Sequence, residues 1–447
     1  MRHTCIIITI CLILLLINGV SFSQGTDNRS NNDLDIDLDL DFSIEEVEKK
    51  PYSINADIEL QETIRFLDSD ALLFKQKYLD TKKDDTFWQT DIDFTIEGQY
   101  QWEKISLYGR FNSLIYYNKE VDWESERKAE EVYITFQPSV SLAVDAGKKV
   151  HKWGKGYAFS PVAFFARPKD IDDPDATLEG YTSLSVDYIK STEGIIQTFA
   201  ITPVLIPVTR HINDELGLEN EIIWGGKLYL FTFDTDIDLI FSVSDNLNNR
   251  IGMDFSKNLN PSFEIHGEAA LVQDHTQYII DEYGNTNEEK NTAFNLLLGL
   301  RYLSDMETTY ILEYFHNGEG YTGKEYESYL KFIETGYKQY LNTTSKTAIF
   351  KSKKYAAWYN QQAAMKDYIY LKISQKDSFN ILYLTPSITF IYNINDQSAS
   401  ITPGITYSPV TNLTLDLKAG FLFGKSNTEY NEKINKAKVV VSIRYYF

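Results

Sequence analysis

From residue 52 onward the chain alternates between greasy and wettable side chains. Ile92, Phe94 and Ile96 are interleaved with Asp91, Asp93, Thr95 and Glu97. Ile237, Leu239, Phe241 and Val243 are interleaved with Asp236, Asp238 and Ser242, and Leu413, Leu415 and Leu417 with Thr414, Asp416 and Lys418. A period of two places the two sets on opposite faces of a strand. The runs extend for roughly 9–13 residues, the length a tilted strand needs to cross a bilayer, whereas strands of soluble sheets are nearer 5–6. The last eleven residues, AKVVVSIRYYF, keep the same rhythm and end on Phe447.

The connections also alternate. Tight turns are expected near 101–104, 137–140, 191–194, 234–236, 257–261, 303–306, 376–379 and 408–412, and long connections at 151–180, 206–224, 274–292, 317–366 and 424–436. Short turns on one side and long loops on the other are the habit of membrane barrels. The pattern predicts an all-β, antiparallel up-and-down transmembrane barrel of about 18 strands, with 16 as the alternative because 181–233 reads least cleanly. An even count returns both chain ends to the same side.

What precedes the barrel is of another kind. Residues 1–23 carry a basic start, an apolar run from Ile6 to Ile17, and Ser21 and Ser23 ahead of a cut before Gln24, the pattern of a secretory signal peptide. Residues 24–51 are polar and acidic, with Asp33, Asp35, Asp37, Asp39 and Asp41 alternating with leucine and isoleucine; we expect a flexible periplasmic segment, too short for a plug domain. The barrel occupies 52–447. Both cysteines, Cys5 and Cys11, lie in the leader, so the mature chain offers neither a disulfide framework nor a thiolate metal site. A formal net charge of −21 argues against nucleic acid as a partner. It is no obstacle to a membrane, and with no apolar run long enough for a spanning helix after residue 23, a closed sheet is the remaining way across.

A terminal phenylalanine preceded by alternate apolar residues resembles the closing strand of Gram-negative outer-membrane β-barrel proteins. That resemblance implies outer-membrane lipid as surroundings and recognition of the last strand, through Phe447, by the barrel assembly machinery. Thirty-one tyrosines and twenty-six phenylalanines are what two aromatic girdles require.

The most unusual stretch is KKVHKWGKGYAFSPVAFFARPKDIDDPDATLEGY, residues 148–181. Glycines and prolines break it, and Trp153, Tyr157, Phe159, Phe164 and Phe165 make it too apolar to wave in water, so it should fold against the barrel interior. It follows the fifth expected strand, and in position and composition it is similar to the inward loop of porins. Its WGKG, S-P and D-x-x-D-P, with YFHNGEGY at 314–321, also resemble stretches of uncharacterised porin-type families. The resemblance implies a constriction, for which the candidates are Lys149, Lys152, Trp153, Lys155, Arg167, Asp170, Asp172 and Asp173. Opposed basic and acidic walls there would set a transverse field. The alternative is a loop that caps the mouth.

By parity Arg65, Asp93, Glu97, Arg110, Asp145, Glu264, His266, Glu268, Arg301 and Arg444 face inward as candidate pore-lining residues. Asp187, Asp238, Glu313 and Asp416 share their parity, and the excess of acids favours cations. Glu264, His266 and Glu268 form a His-with-carboxylates row. Spacing along one strand spreads them over a line, poor geometry for one ion, so no metal is expected there. Within 317–366, Tyr326, Tyr329, Leu330, Ile333 and Tyr337 recur at helical spacing, and Tyr355, Trp358, Tyr359 and Gln362 suggest a second helix. None of the common hydrolase, zinc-protease, phosphate-loop or haem motifs is present, so neither enzyme activity nor a cofactor is expected.

The reading is a porin-like channel for passive diffusion of small hydrophilic solutes, either monomeric or a homotrimer. A structural or surface-binding barrel with a closed lumen is one alternative. A transporter of hydrophobic compounds is another, disfavoured by the polar inward positions.

Overall fold

In a computed structural model, residues 50–79, 83–174, 176–216 and 220–447 are described. The expected signal peptide at 1–23 and nearly all of the expected flexible segment at 24–51 lie outside these residues, as does Asp175. Eighteen strands form one antiparallel sheet. They are β1 (Tyr52–Leu67), β2 (Thr86–Trp102), β3 (Ile105–Asn118), β4 (Asp122–Ser139), β5 (Leu142–Lys149) and β6 (Tyr181–Ser191). β7 (Ile196–Val208), β8 (Glu221–Thr232), β9 (Thr235–Val243), β10 (Arg250–Asn260), β11 (Phe263–Ile280) and β12 (Thr286–Leu303) follow. The last six are β13 (Thr308–His316), β14 (Asp367–Gln375), β15 (Leu384–Asn393), β16 (Ser398–Val410), β17 (Leu413–Phe423) and β18 (Asn435–Tyr446). Each strand pairs with its neighbours in sequence, and β1 pairs with β18 from Asp57↔Tyr446 to Leu67↔Asn435, so the sheet closes. Closure is what lets strands sit in lipid, because no backbone edge is left bare. Among the described residues no helix is long and apolar enough to cross a membrane.

The outer face carries the apolar half of the alternation: Ile58, Phe94, Phe111, Ile134, Leu239, Leu271, Phe294, Leu312, Leu417 and Val441 are all exposed. At one rim the turns are short. Phe233 and Asp234 both take left-handed φ (50° and 53°), the two-residue turn whose twist matches that of paired strands. The other rim bears the long connections, including helix α1 (Leu72–Tyr78) between β1 and β2, and helices α2 (Gly323–Thr343) and α3 (Thr347–Tyr359) between β13 and β14. Thr322 opens α2 with a reciprocal capping box to Glu325.

One expected loop proves to be strand: β11 and β12 continue through 274–292 to a five-residue turn, pairing His275–Ile280 with Thr286–Asn291. β4 likewise opens with a stretch that lacks the alternation, pairing Asp122–Lys128 with Asn112–Asn118. In both extensions (TNEEKN, DWESERK) the apolar–polar alternation is missing, Trp123 being the one apolar side chain. They stand beyond the bilayer, where neither face needs to be greasy, so the alternation that marks a spanning strand is lost while the ladder continues.

The packed core lies inside the barrel. Tyr326, Tyr329, Leu330 and Ile333 of α2 and Ile349 and Tyr359 of α3 bury themselves against inward-facing Phe315, Tyr368 and Tyr370, joined by Ala158, Phe159 and Ile171 of the 150–180 connection. A second cluster sets Trp153, Val162 and Phe165 against Val204, Ile206, Ile223 and Ile240. These wall positions break the polar-inside rule because the loop, rather than water, covers them.

The inward loop and the wall it leaves wet

The β5–β6 connection (residues 150–180) enters the lumen because the wall offers acceptors to its backbone. Glu268 on β11 accepts hydrogen bonds from the N–H groups of Lys155 (2.5 Å), Gly156 (2.6 Å) and Val162 (3.2 Å). Glu313 on β13 accepts from the N–H groups of Tyr157 (2.5 Å) and Ala158 (2.9 Å), and His266 Nε2 lies 3.0 Å from the same carboxylate. A bend that turns successive N–H groups toward one point is a ready anion cradle. Here the anions are buried wall carboxylates, which would be costly there without such donors. The glycines of WGKG allow the approach. Gly154 has φ +96°, and a Cβ there would lie 2.1 Å from Ser160 Oγ and 2.8 Å from Glu268 Oε1. One at Gly156 would lie 2.0 Å from Phe159 O.

Side chains extend the anchorage. Lys155 Nζ stands 3.0 Å from Asp238 and 3.8 Å from Asp254, two buried carboxylates directly opposite each other on β9 and β10. Burial opposes the Lys155 charge, but Asp238 and Asp254 outweigh it and hold the ammonium above its ordinary value. Trp153 packs edge-on against Phe165 at 5.1 Å, with Lys227 Nζ 5.6 Å from its ring centre. His151 is buried beside Ser183 Oγ at 3.0 Å. Burial, aided by the Lys149 charge, pulls its pKa down to about 4, so it is neutral at pH 7.

The second half of the loop crosses to the far wall. Asp172 pairs with Lys438 of β18 at 2.7 Å and Asp173 with Lys418 of β17 at 3.0 Å. The backbone N–H of Ile171 donates to Gln362 Oε1 beyond α3 at 3.0 Å, and Asp170 accepts from the Asp172 N–H at 2.9 Å. Arg167 bridges Glu215 (2.6 Å) and Glu179 (3.3 Å). Lys152 is exposed, and Lys149 closes on Asp145 beside its own strand. The eight loop-region candidates therefore divide. Lys155 and Trp153 anchor the loop on one wall, Asp172 and Asp173 reach the other, Arg167 and Asp170 brace it, and Lys149 and Lys152 take no part in its anchorage.

The wall candidates divide in the same way. Glu264, His266 and Glu268 lie beneath the loop: Glu264 accepts from Tyr157 Oη at 3.3 Å, and Arg301 reaches it at 3.9 Å. Among the described residues no group of three or more His, Cys, Asp or Glu has a metal-holding arrangement. By contrast, the arc formed by β1–β4 and β17–β18 keeps charged side chains accessible inside the closed sheet. Arg110 binds Glu97 (3.1 Å) and Glu130 (2.7 Å), and Arg444 contacts Glu59 and Asp57. Asp93 accepts from Asn112 Nδ2 at 2.6 Å and from Thr95 Oγ1 at 3.2 Å, and the buried Asp91 accepts from Gln89 Nε2 at 2.8 Å and Gln61 Nε2 at 3.3 Å. Arg65 stands 5.6 Å from the Phe87 ring centre. Asp145 accepts from Thr135 Oγ1. Lys418 and Lys438 have the inward parity but attract no notice in sequence, because their partners are about 250 residues away. Asp254 likewise becomes notable only through its register with Asp238 and Glu268.

The sequence matches no protein-family model and no curated protein. Solved structures with the same fold include Acinetobacter baumannii OccAB1 (11% identity, 89% of this chain and 98% of that one, TM-score 0.51). Pseudomonas aeruginosa OpdL (10% identity, 89% and 98%, TM-score 0.50) and the Pseudomonas aeruginosa outer membrane protein opdK (7% identity, 88% and 99%, TM-score 0.50) are similar to the same extent. At these identities the likeness is one of fold.

Proposed function

We propose that this chain is an outer-membrane channel for passive diffusion of small hydrophilic solutes, narrowed by the loop at 150–180. The observation that carries the reading is the division of the inner wall. On β9–β13 Asp238, Asp254, His266, Glu268 and Glu313 are buried beneath the loop, while on β1–β4 and β17–β18 charged side chains such as Glu97, Arg110 and Arg444 stay partly exposed inside a closed barrel, as the lining of a water path must. Constriction is set by the loop arm from Asp170 to Asp173 facing that arc. On this arc the acids Asp57, Glu59, Asp91, Asp93, Glu97 and Glu130 outnumber the arginines Arg65, Arg110 and Arg444, so the path favours cations over anions. The outer-membrane location rests on the apolar exterior and on the fold shared with opdK, and the closing strand through Phe447 serves as the assembly signal. Purified, refolded protein in a planar bilayer should give discrete conductance steps, with a cation-selective reversal potential in a salt gradient. Silence would overturn the channel, and anion selectivity would overturn the assignment of the acidic wall. The core shared by the loop and α2–α3 favours one rival, a surface barrel with a closed lumen, and the same recording decides between them.

A further inference from the structure

On the outer face of β3 and β4 the greasy surface is interrupted. Both strands present large apolar side chains outward, Leu107 and Phe111 on one, Ile134 and Phe136 on the other. Nearer the long-loop rim the same outward rows carry Ser113 opposite Arg127 and Ile115 opposite Ser125, with Tyr117 opposite Trp123 above them. The two small serines leave a depression of about 270 Å3 between Ile115, Trp123 and Arg127. Among the described residues, neither serine hydroxyl nor the Arg127 guanidinium makes a hydrogen bond or ion pair.

The acids around the depression are already engaged. Glu124 joins its lining but accepts from Tyr116 Oη at 2.6 Å, and Glu126 pairs with Lys128 at 3.1 Å. Glu62 faces outward on β1, three strands away, and accepts from Thr90 Oγ1 at 2.8 Å. Height completes the picture. Arg127 lies twelve residues from Ser139, the short-turn end of β4, roughly 30 Å up a strand tilted by about 40°. The apolar band of such a barrel is about 25 Å tall, so the guanidinium stands just past the hydrocarbon, at the level of lipid head groups. Trp123 is higher still and 58% exposed, with its ring centre 5.1 Å from that of Tyr117.

We infer that this patch binds a phosphorylated glycolipid of the outer leaflet. Its phosphate is gripped by the Arg127 fork and the hydroxyls of Ser113 and Ser125, its sugar lies on Trp123, and its acyl chains run down past Phe111 and Ile134. A planar fork flanked by two hydroxyl donors suits an anion with several terminal oxygens. The open indole stands on the water side of that anion, where a glycerophospholipid has no ring to set against it. A chain of net charge −21 otherwise repels anionic lipid, so a local unpaired cation decides where one is held. The inference rests on the membrane placement proposed above and is independent of conduction.

The test is native mass spectrometry of the full chain in detergent micelles with bisphosphorylated lipid A or phosphatidylglycerol added. One lipid A should be retained per chain, with phosphatidylglycerol weaker by at least about fivefold. Arg127→Gln should weaken lipid A retention about tenfold and Trp123→Ala about threefold. Lys190→Gln, which removes an outward cation at the opposite rim, should stay within about twofold of the parent. Heat-modifiable migration on SDS gels certifies that each variant forms the barrel, and a parent without it would sink the membrane placement itself. With migration intact, equal retention of phosphatidylglycerol, Arg127→Gln within about twofold of the parent, or an equal loss in Lys190→Gln would each overturn the glycolipid site.

Discussion

Glu268→Gln isolates the force that holds the loop in the lumen. The carboxylate now takes three backbone N–H groups, at 2.5, 2.6 and 3.2 Å. Glutamine has the same shape but only one accepting oxygen and no charge. The N–H groups of Lys155 and Gly156 would then meet a neutral carbonyl, losing about 1 kcal/mol each, and that of Val162 would face an NH2 group, losing about 1 kcal/mol more. About 3 kcal/mol against docking raises the undocked population roughly a hundredfold. The lipid-facing surface is untouched, so the barrel should still close and keep its heat-modifiable migration. Single-channel records should change from steady steps to frequent excursions toward a larger conductance, and proteases added outside should cleave between 150 and 180. Noise and protection within about twofold of the parent, far below the hundredfold expected, would refute the claim that backbone donors to Glu268 hold the loop.

Three other perturbations have signed outcomes. Lys438→Gln and Lys418→Gln remove half-exposed ion pairs worth at most about 1 kcal/mol each, so their effect on conductance noise should be small, present at low salt and absent at high salt. Gly156→Ala drives a methyl into the Phe159 carbonyl, so the loop should become protease-sensitive while the barrel still folds; full protection would contradict the packing. His151, held near 4 against an ordinary 6.5, resists a proton that the undocked loop accepts. The His151 contribution to docking is therefore fully present above pH 6.5 and is lost as pH falls toward 4, so His151→Asn should reduce the rise in conductance noise between pH 7 and 4.

The sequence disclosed the architecture because lipid imposes a strict rule on every spanning residue. The alternation of Ile92–Glu97 or Leu413–Lys418 could be read without any partner in view. Where the rule lapses, so does legibility. The TNEEKN extension of β12 lies in water on both sides, and Ile240 faces inward yet is apolar because Trp153, Val162 and Phe165 cover it. The loop at 150–180 announced itself through its aromatics and glycines, and Lys155 and Asp172 could be singled out as charges. Their roles could not, since Asp254 and Lys438 acquire meaning only from register across strands far apart in the chain. α1 went unanticipated, as seven residues give too little period to detect.

The seam between β1 and β18 has a consequence for biogenesis. The first strand to be made must wait for the last before its outer ladder is satisfied. Until then the growing sheet has two raw margins able to join each other or a stranger. Eleven matched positions from Asp57 to Leu67 make the correct joint long enough to prevail, and they make truncation of the final strand an invitation to cross-chain pairing.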